Sequence, residues 1–198
     1  MRSVEGSFLS GPVEQAAPAL LGWVLHAGSV SVRITEVEAY GGEDDAGSHA
    51  HRGPTPRNAS MFGGAGRLYC YLSYGIHVCA NVVTGSSGTG SAVLLRAGVV
   101  LVGEAEARSR RGDVARRALA RGPACLTRAL GVRLDHDGTD LLDDTSPVRL
   151  VPGPAPSRVG CGPRVGLTGE PDRAWRWWCE GDATVSAYRR SPRAHPPI

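Results

Sequence analysis

The chain predicts an α+β fold, on three observations. Strand-like runs follow one another across tight turns, as at Leu68–Leu72 and Ile76–Val83 around Ser73-Tyr74-Gly75. Helical periodicity is confined to other stretches, chiefly Glu104–Arg121 and the run that Gly122-Pro123 opens. No linker and no internal repeat divides the 198 residues, enough for one domain with a substantial core.

Taken in order, Ser10-Gly11-Pro12 opens a first helical stretch. Ser10 is its candidate cap, Pro12 sits near the first turn, and the pattern runs through Leu20, Leu21 and Val24. Pro18 should kink that helix or delay its start. Val30–Tyr40 is a strand by alternation and β-branching. One face of it would carry Val30, Val32, Ile34, Glu36, Glu38 and Tyr40, apolar at first and then delivering two carboxylates and a phenol to a cleft edge. Gly41–Gly66 is rich in Gly, Pro, Asn and Asp, and an irregular loop that long is commonly functional. Leu68–Leu72, with Tyr69 and Tyr71 on one face, turns at Ser73-Tyr74-Gly75 into Ile76–Val83, a hairpin with Tyr74 at its tip. After the Gly85–Gly90 turn, Ala92–Arg96 reads as a buried strand ending in Arg96. Glu104–Arg121 is a charged helix interrupted near Gly112, and Gly122-Pro123 starts a helix through Ala129. Asp135–Asp144 is an acidic loop. Val148–Val151 and Arg164–Leu167 read as strands separated by a Pro/Gly-rich loop, and Trp175, Trp177 and Trp178 precede a last strand at Thr184–Ala187. The chain from about residue 188 to 198 reads as a flexible tail.

Composition excludes several chemistries. All 22 basic residues are Arg, so a lysine Schiff base is impossible and only the N-terminal amine could attempt one. GC-rich coding accounts for most of this bias. The five cysteines, Cys70, Cys79, Cys125, Cys161 and Cys179, form no Cys-x-x-Cys pair, which argues against a disulfide framework and a structural metal site. No apolar run is long enough for a membrane helix, and the N-terminus lacks a signal-peptide core. A cytoplasmic protein without metal or cofactor is the expectation.

The densest chemistry lies between Thr35 and Asn81. Thr-Glu-Val-Glu-Ala-Tyr at 35–40, Thr-Pro-Arg-Asn at 55–58, Met61-Phe62 and Gly66–Gly75 mix carboxylates, aromatics and arginines. Such a set suits an enzyme that takes a flat, electron-poor ring between aromatic faces and breaks a bond beside it.

With His49, Val93-Leu94-Leu95-Arg96, Gly122-Pro123, Leu126 and Arg164-Val165-Gly166-Leu167, these segments resemble the alkyladenine (3-methyladenine) DNA glycosylases of the small α+β type. The resemblance covers nearly the whole chain and weakens after Leu130. It implies a single glycosylase domain over residues 1–198, with a mixed, mostly antiparallel curved sheet flanked by helices and a protruding β-hairpin. It implies that Glu38 is the general base, stabilising positive charge at the sugar and activating water, with Arg96 beside that water. Tyr40, His49 and Tyr71 become the walls that stack a flipped base, and Asn81 a residue that selects among purines by misfit. Tyr74 becomes the wedge filling the gap in the DNA stack. Arg57, Arg67 and the helix start at Gly122-Pro123 become phosphate contacts.

Each role has a plainer alternative. Glu38 could be a surface carboxylate, Tyr71 a core aromatic, His49 a loop histidine, Asn81 a strand-ending residue and Arg96 a paired cation. Tyr74 could fold back on its hairpin. Tyr69 reads as core, Glu36 as structural and paired with an Arg, and His77 carries no role.

The resemblance implies a monofunctional enzyme that flips alkylated or deaminated purines (3-methyladenine, 7-methylguanine, hypoxanthine, ethenoadenine) from duplex DNA and hydrolyses them off, leaving an abasic site. The expected partner is double-stranded DNA with damaged purines, the expected state a monomer at the nucleoid. The alternative is a non-catalytic binder of distorted DNA, which would be indifferent to Glu38→Gln.

Overall fold

The computed structural model describes residues 4–194. Its strands are β1 (Val24–Ala27), β2 (Val30–Tyr40), β3 (Leu68–Ser73), β4 (His77–Thr84), β5 (Ser91–Val102), β6 (Val148–Val151), β7 (Val159–Gly162) and β8 (Arg176–Cys179). Its α-helices are α1 (Val13–Ala19), α2 (Glu104–Arg111) and α3 (Pro123–Leu130). The strands form one sheet in the order β3-β4-β5-β2-β1-β6, which curls into a half-barrel. Every pairing between these strands is antiparallel, so the mostly antiparallel curved sheet that the resemblance implies holds no parallel pair among the described residues.

Strand β2 organises the sheet. One edge pairs with β5 along its length, while the other pairs with β1 at Val30–Arg33 and then with β8 at Glu36–Glu38. The sheet forks at the change of partner, and a bulge sits there. Ile34 faces Gly98 and Glu36 faces Ala97, so Thr35 is an extra residue in β2. One step on, Val37 faces Leu95, so Arg96 is an extra residue in β5. Two opposed bulges restore the register, and each reverses the alternation of its strand. Val30, Val32 and Ile34 therefore share the main core with Val37 and Ala39. The single face expected to run from Val30 to Tyr40 does not exist. Only Glu36, Glu38 and Tyr40 of that set lie on the opposite face. Arg96, expected at a strand end, is the bulged residue in the middle of a 12-residue strand.

The main core joins one sheet face to the helices, with Val82, Val93 and Leu95 against Leu126, Ala129 and Leu130. The opposite face carries a smaller cluster of Ala50, Met61, Tyr69, Val83 and Ala92, bordered by Tyr40, Phe62 and Tyr71. The 41–66 loop covers that face.

Elsewhere the chain departs from expectation in ways with clear causes. The first helix ends at Ala19, with Pro18 in its last turn, and Val24 already belongs to β1. Ser10 does not cap it; Pro12 occupies the cap position without a side-chain bond. The Pro/Gly-rich stretch expected to be loop contains β7, whose Gly160 lies against the Trp178 indole; a Cβ there would come within 2.4 Å of the ring. Glycine lets the ring approach, at the cost of a strand signal. Trp177 and Trp178 lie within β8, not before a strand. Arg164–Leu167 and Thr184–Ala187 form no strand, since side-chain bonds rather than a ladder hold both. Arg189 accepts from the Gly166 amide at 2.9 Å. Residues 195–198 of the expected tail lie outside the described residues.

Candidate active site

One row of facing residues crosses the sheet through Tyr69, Asn81, Leu94, Glu38 and Arg176. Alternation along each strand sends these side chains to the face away from the helices, with Tyr71 and Tyr40 two residues along. A cavity of about 80 Å³ opens on that face, lined by Tyr40, Gly47, His49, Met61, Tyr69, Tyr71, Asn81 and Leu167. The sheet thus brings Tyr40, Tyr71 and Asn81 together, and the 41–66 loop adds His49.

Glu38 lies one hydrogen bond behind this wall. The Tyr40 hydroxyl donates to its Oε2 at 2.9 Å, Arg96 Nη1 donates to the same oxygen at 3.1 Å, and the Val165 amide donates to Oε1 at 2.7 Å. Glu38 is fully buried, not at the cleft edge the sequence suggested. Three donors hold the carboxylate in one orientation, and Oε1 keeps a lone pair for a further donor. Glu36, also fully buried, receives Arg96 Nε at 2.8 Å, Arg176 Nε at 2.7 Å, the Ser186 hydroxyl at 2.8 Å and the Ser186 amide at 2.6 Å. Two carboxylates and two guanidiniums balance, which is what lets them sit away from water.

Behind Tyr40, Arg164 and Asp45 form a second buried pair, with bonds of 2.6 Å and 2.8 Å. Arg164 also donates to the Ala39 carbonyl at 3.0 Å, and its guanidinium lies 4.8 Å from the Tyr40 ring centre. Asp45 accepts from the Gly41 and Gly47 amides at 2.9 Å each, closing the start of the loop. A Cβ on Gly47 would meet Arg164 at 2.8 Å, so the glycine admits the guanidinium.

Both acidic partners titrate with consequences for stability. Burial alone would raise the Glu36 pKa, but Arg96, the Ser186 amide and Arg176 outweigh it and the net shift is downward. Asp45 behaves alike: burial raises its pKa, and Arg164 with the Gly41 and Gly47 amides brings it below the ordinary value. A carboxylate with a depressed folded pKa stabilises fully above its unfolded value, here 4.5 for Glu36 and 3.8 for Asp45. That contribution is lost as pH falls through the lower folded values. The melting temperature is therefore expected to hold to about pH 5 and drop steeply below about pH 4. A melting temperature unchanged down to about pH 3 would show that these pairs do not sustain the fold.

The aromatic walls touch one another. Tyr69 and Tyr71 stack with ring centres 5.6 Å apart, and His49 meets Tyr71 edge-on at 4.5 Å. Nδ1 of His49 and the Tyr69 hydroxyl are 3.1 Å apart, so Tyr69 belongs to the cavity wall rather than only to the core. Partial burial, and secondly the Arg57 cation, lower the His49 pKa and favour the neutral ring. Burial, and secondly the Glu38 charge, push the Tyr40 phenol well up, keeping it a donor. Asn81 spends Nδ2 on the Tyr69 carbonyl at 3.0 Å, which fixes the side-chain amide.

At the hairpin tip Tyr74 is 94% exposed and does not fold back. Its φ of 51° and that of Gly75, 74°, make the tight primed turn that suits a hairpin. For a tyrosine that conformation costs roughly 1 kcal/mol. Arg57 donates to the Leu72 carbonyl at 2.9 Å and sits 5.9 Å from the Tyr71 ring centre, between cavity and tip. Arg67 lies at the far end of β3, roughly 20 Å of strand from Tyr74, and donates to the Gly138 carbonyl at 2.9 Å. The hairpin tip and Arg67 are thus not brought together. Gly122 and Pro123 open α3 with no side-chain cap, leaving the Ala124 and Cys125 amides uncapped. A bridge between Ala97 and Arg121 sets this helix start beside Arg96.

Sequence reasoning named neither Asp45 nor Ser186 and Arg176, and it placed Arg164 and Val165 only in a motif. Asp45 alone had a local signal, an Asp two residues before Gly47 in a turn-rich loop.

The family described as Methylpurine-DNA glycosylase matches residues 7–183. A Nocardia farcinica protein is 52% identical over 97% of this chain and 93% of its own length. One from Mycolicibacterium paratuberculosis is 50% identical over 100% and 98%, and one from Cutibacterium acnes 46% identical over 91% and 98%. All three carry the name "Putative 3-methyladenine DNA glycosylase".

Proposed function

The chain belongs to the methylpurine-DNA glycosylase family, and on that premise we propose that it excises alkylated or deaminated purines from duplex DNA by hydrolysis. The observation that carries this reading is the buried Glu38 carboxylate, held by Tyr40, Arg96 and the Val165 amide directly behind an aromatic cavity.

The damaged base leaves the helix and stacks on Tyr40, with Tyr71 and His49 across the cavity. A cavity of about 80 Å³ is small for a purine, so entry parts the His49 and Tyr71 rings. Alkylated purines carry positive charge, and the phenol faces attract it. Asn81, its amide fixed by the Tyr69 carbonyl, disfavours the 2-amino group of undamaged guanine by misfit, a penalty that the positive charge of 7-methylguanine offsets. As the glycosidic bond breaks, Glu38 stabilises positive charge on the sugar and takes a proton from the attacking water. The donors on Glu38 and its lack of exposure hold it in place beforehand, so little reorganisation is needed. Arg96 balances the charge there. Tyr74 fills the vacated stack, and Arg57, Arg67 and the α3 start at Gly122-Pro123 hold phosphates. The product is the free base and an abasic site, since the chain contains no lysine to form a Schiff base.

The test is single-turnover base release from duplexes containing 3-methyladenine, 7-methylguanine, hypoxanthine or ethenoadenine. Release that yields strand cuts only after alkali supports the hydrolytic reading. Binding without release from any of them would favour the non-catalytic binder. In the same assay Tyr74→Ala is expected to slow release roughly 10-fold or more, because the wedge offsets part of the unstacking cost. A lesion opposite a mismatch should be slowed less. Equal rates for Tyr74→Ala and wild type on a paired lesion would remove the wedge.

A further inference from the structure

Residues 182–189 cross the sheet fork without joining the ladder, and their bonds converge on the carboxylate cluster. Asp182 pairs with Arg33 at 3.1 Å, and the Thr184 hydroxyl meets that of the bulged Thr35 at 2.7 Å. The Val185 carbonyl accepts from Arg121 at 2.9 Å. Ser186 is the hub. Its amide donates to Glu36 Oε2 at 2.6 Å and its hydroxyl to Glu36 Oε1 at 2.8 Å. The same hydroxyl oxygen accepts from Arg96 Nη2 at 3.3 Å, and the Ser186 carbonyl accepts from Arg176 Nη2 at 2.7 Å.

The Arg96 guanidinium is thereby held at all three nitrogens: Nε by Glu36, Nη1 by Glu38, Nη2 by Ser186. Three points fix a plane, whereas two leave a planar fork free to pivot about their line. Arg176 shares Glu36 Oε1, so Glu36 does not absorb the whole charge of Arg96. We propose that Ser186 is a positioning residue that sets the Arg96 guanidinium against Glu38, acting directly and through Glu36. This rests on the reading of Glu38 and Arg96 as the reacting pair. Ser186 is absent from the walls of the base cavity, so its influence falls on the chemical step and not on recognition of the lesion.

Ser186→Ala removes only the hydroxyl and keeps the amide bond to Glu36. It is expected to slow single-turnover release roughly 10-fold, the effect of one hydrogen bond to a charged group. Affinity for a duplex carrying a tetrahydrofuran abasic analogue should stay within about twofold, and Ser186→Thr, which retains the hydroxyl, should recover most of the rate. A wild-type rate in Ser186→Ala overturns the proposal. So does a rate loss matched by an equal loss of duplex affinity, or one that Thr fails to restore. If wild type itself releases no base, the glycosylase reading fails and the proposal falls with it, a result separable from a null effect of Ser186→Ala.

Discussion

Glu38→Gln is expected to slow base release by orders of magnitude while leaving lesion binding nearly intact. General-base catalysis contributes about 100- to 10,000-fold, and the single-turnover rate should fall within that range. The geometry makes the substitution severe. All three groups that reach Glu38 are donors: the Tyr40 hydroxyl, Arg96 Nη1 and the Val165 amide. A glutamine offers one acceptor oxygen, and its amide nitrogen must face either the Val165 amide or the pair on the other side. The buried cluster also loses its balance, keeping Arg96 and Arg176 against Glu36 alone. Some loss of stability is expected with the loss of rate, so melting has to be measured beside activity. A folded variant that still releases base within about tenfold of wild type would exclude Glu38 as the general base.

Arg164→Met should be the most destabilising single change near the site. The Arg164 and Asp45 side chains are 0% and 1% exposed, and removing one partner leaves the other buried and uncompensated. Breaking such a pair costs about 3–5 kcal/mol. Asp45→Asn should cost a comparable amount, and the double variant much less than the sum of the two, because neither charge is then stranded. Denaturant midpoints for the four proteins measure that coupling, and strict additivity would refute it. Activity should fall as well. Arg164 precedes Val165, whose amide holds Glu38, and its guanidinium backs the Tyr40 ring.

The parts of this protein readable in the sequence were those whose cause is local. Alternation placed β2 and the β3–β4 hairpin, and turn residues placed Tyr74 at the exposed tip. The cavity residues Tyr40, His49, Tyr71 and Asn81 came from the family resemblance, and the sheet gathers them because each sits in phase on its own strand or on the covering loop. What escaped depends on distance along the chain. The bulges at Thr35 and Arg96 leave no compositional trace, so the strand appeared to carry its carboxylates on the core face. Strand β7 is hidden by the glycines that let Trp178 approach. Bonds from Ser186 to Glu36 and from Arg164 to Asp45 span 150 and 119 positions, and no window of sequence contains both ends.

The paired bulges also constrain how such a site can be inherited. Were Thr35 to pair as a regular strand residue, Glu36, Glu38 and Tyr40 would turn to the core side of the sheet and Val37 and Ala39 would turn out. Deleting Arg96 alone would remove the cation and leave β5 one residue short against β2. Deleting both would close the ladder at this point but strip the two carboxylates of the cation they share. Single-codon deletions at either bulge are therefore expected to be purged wherever the chemistry is under selection.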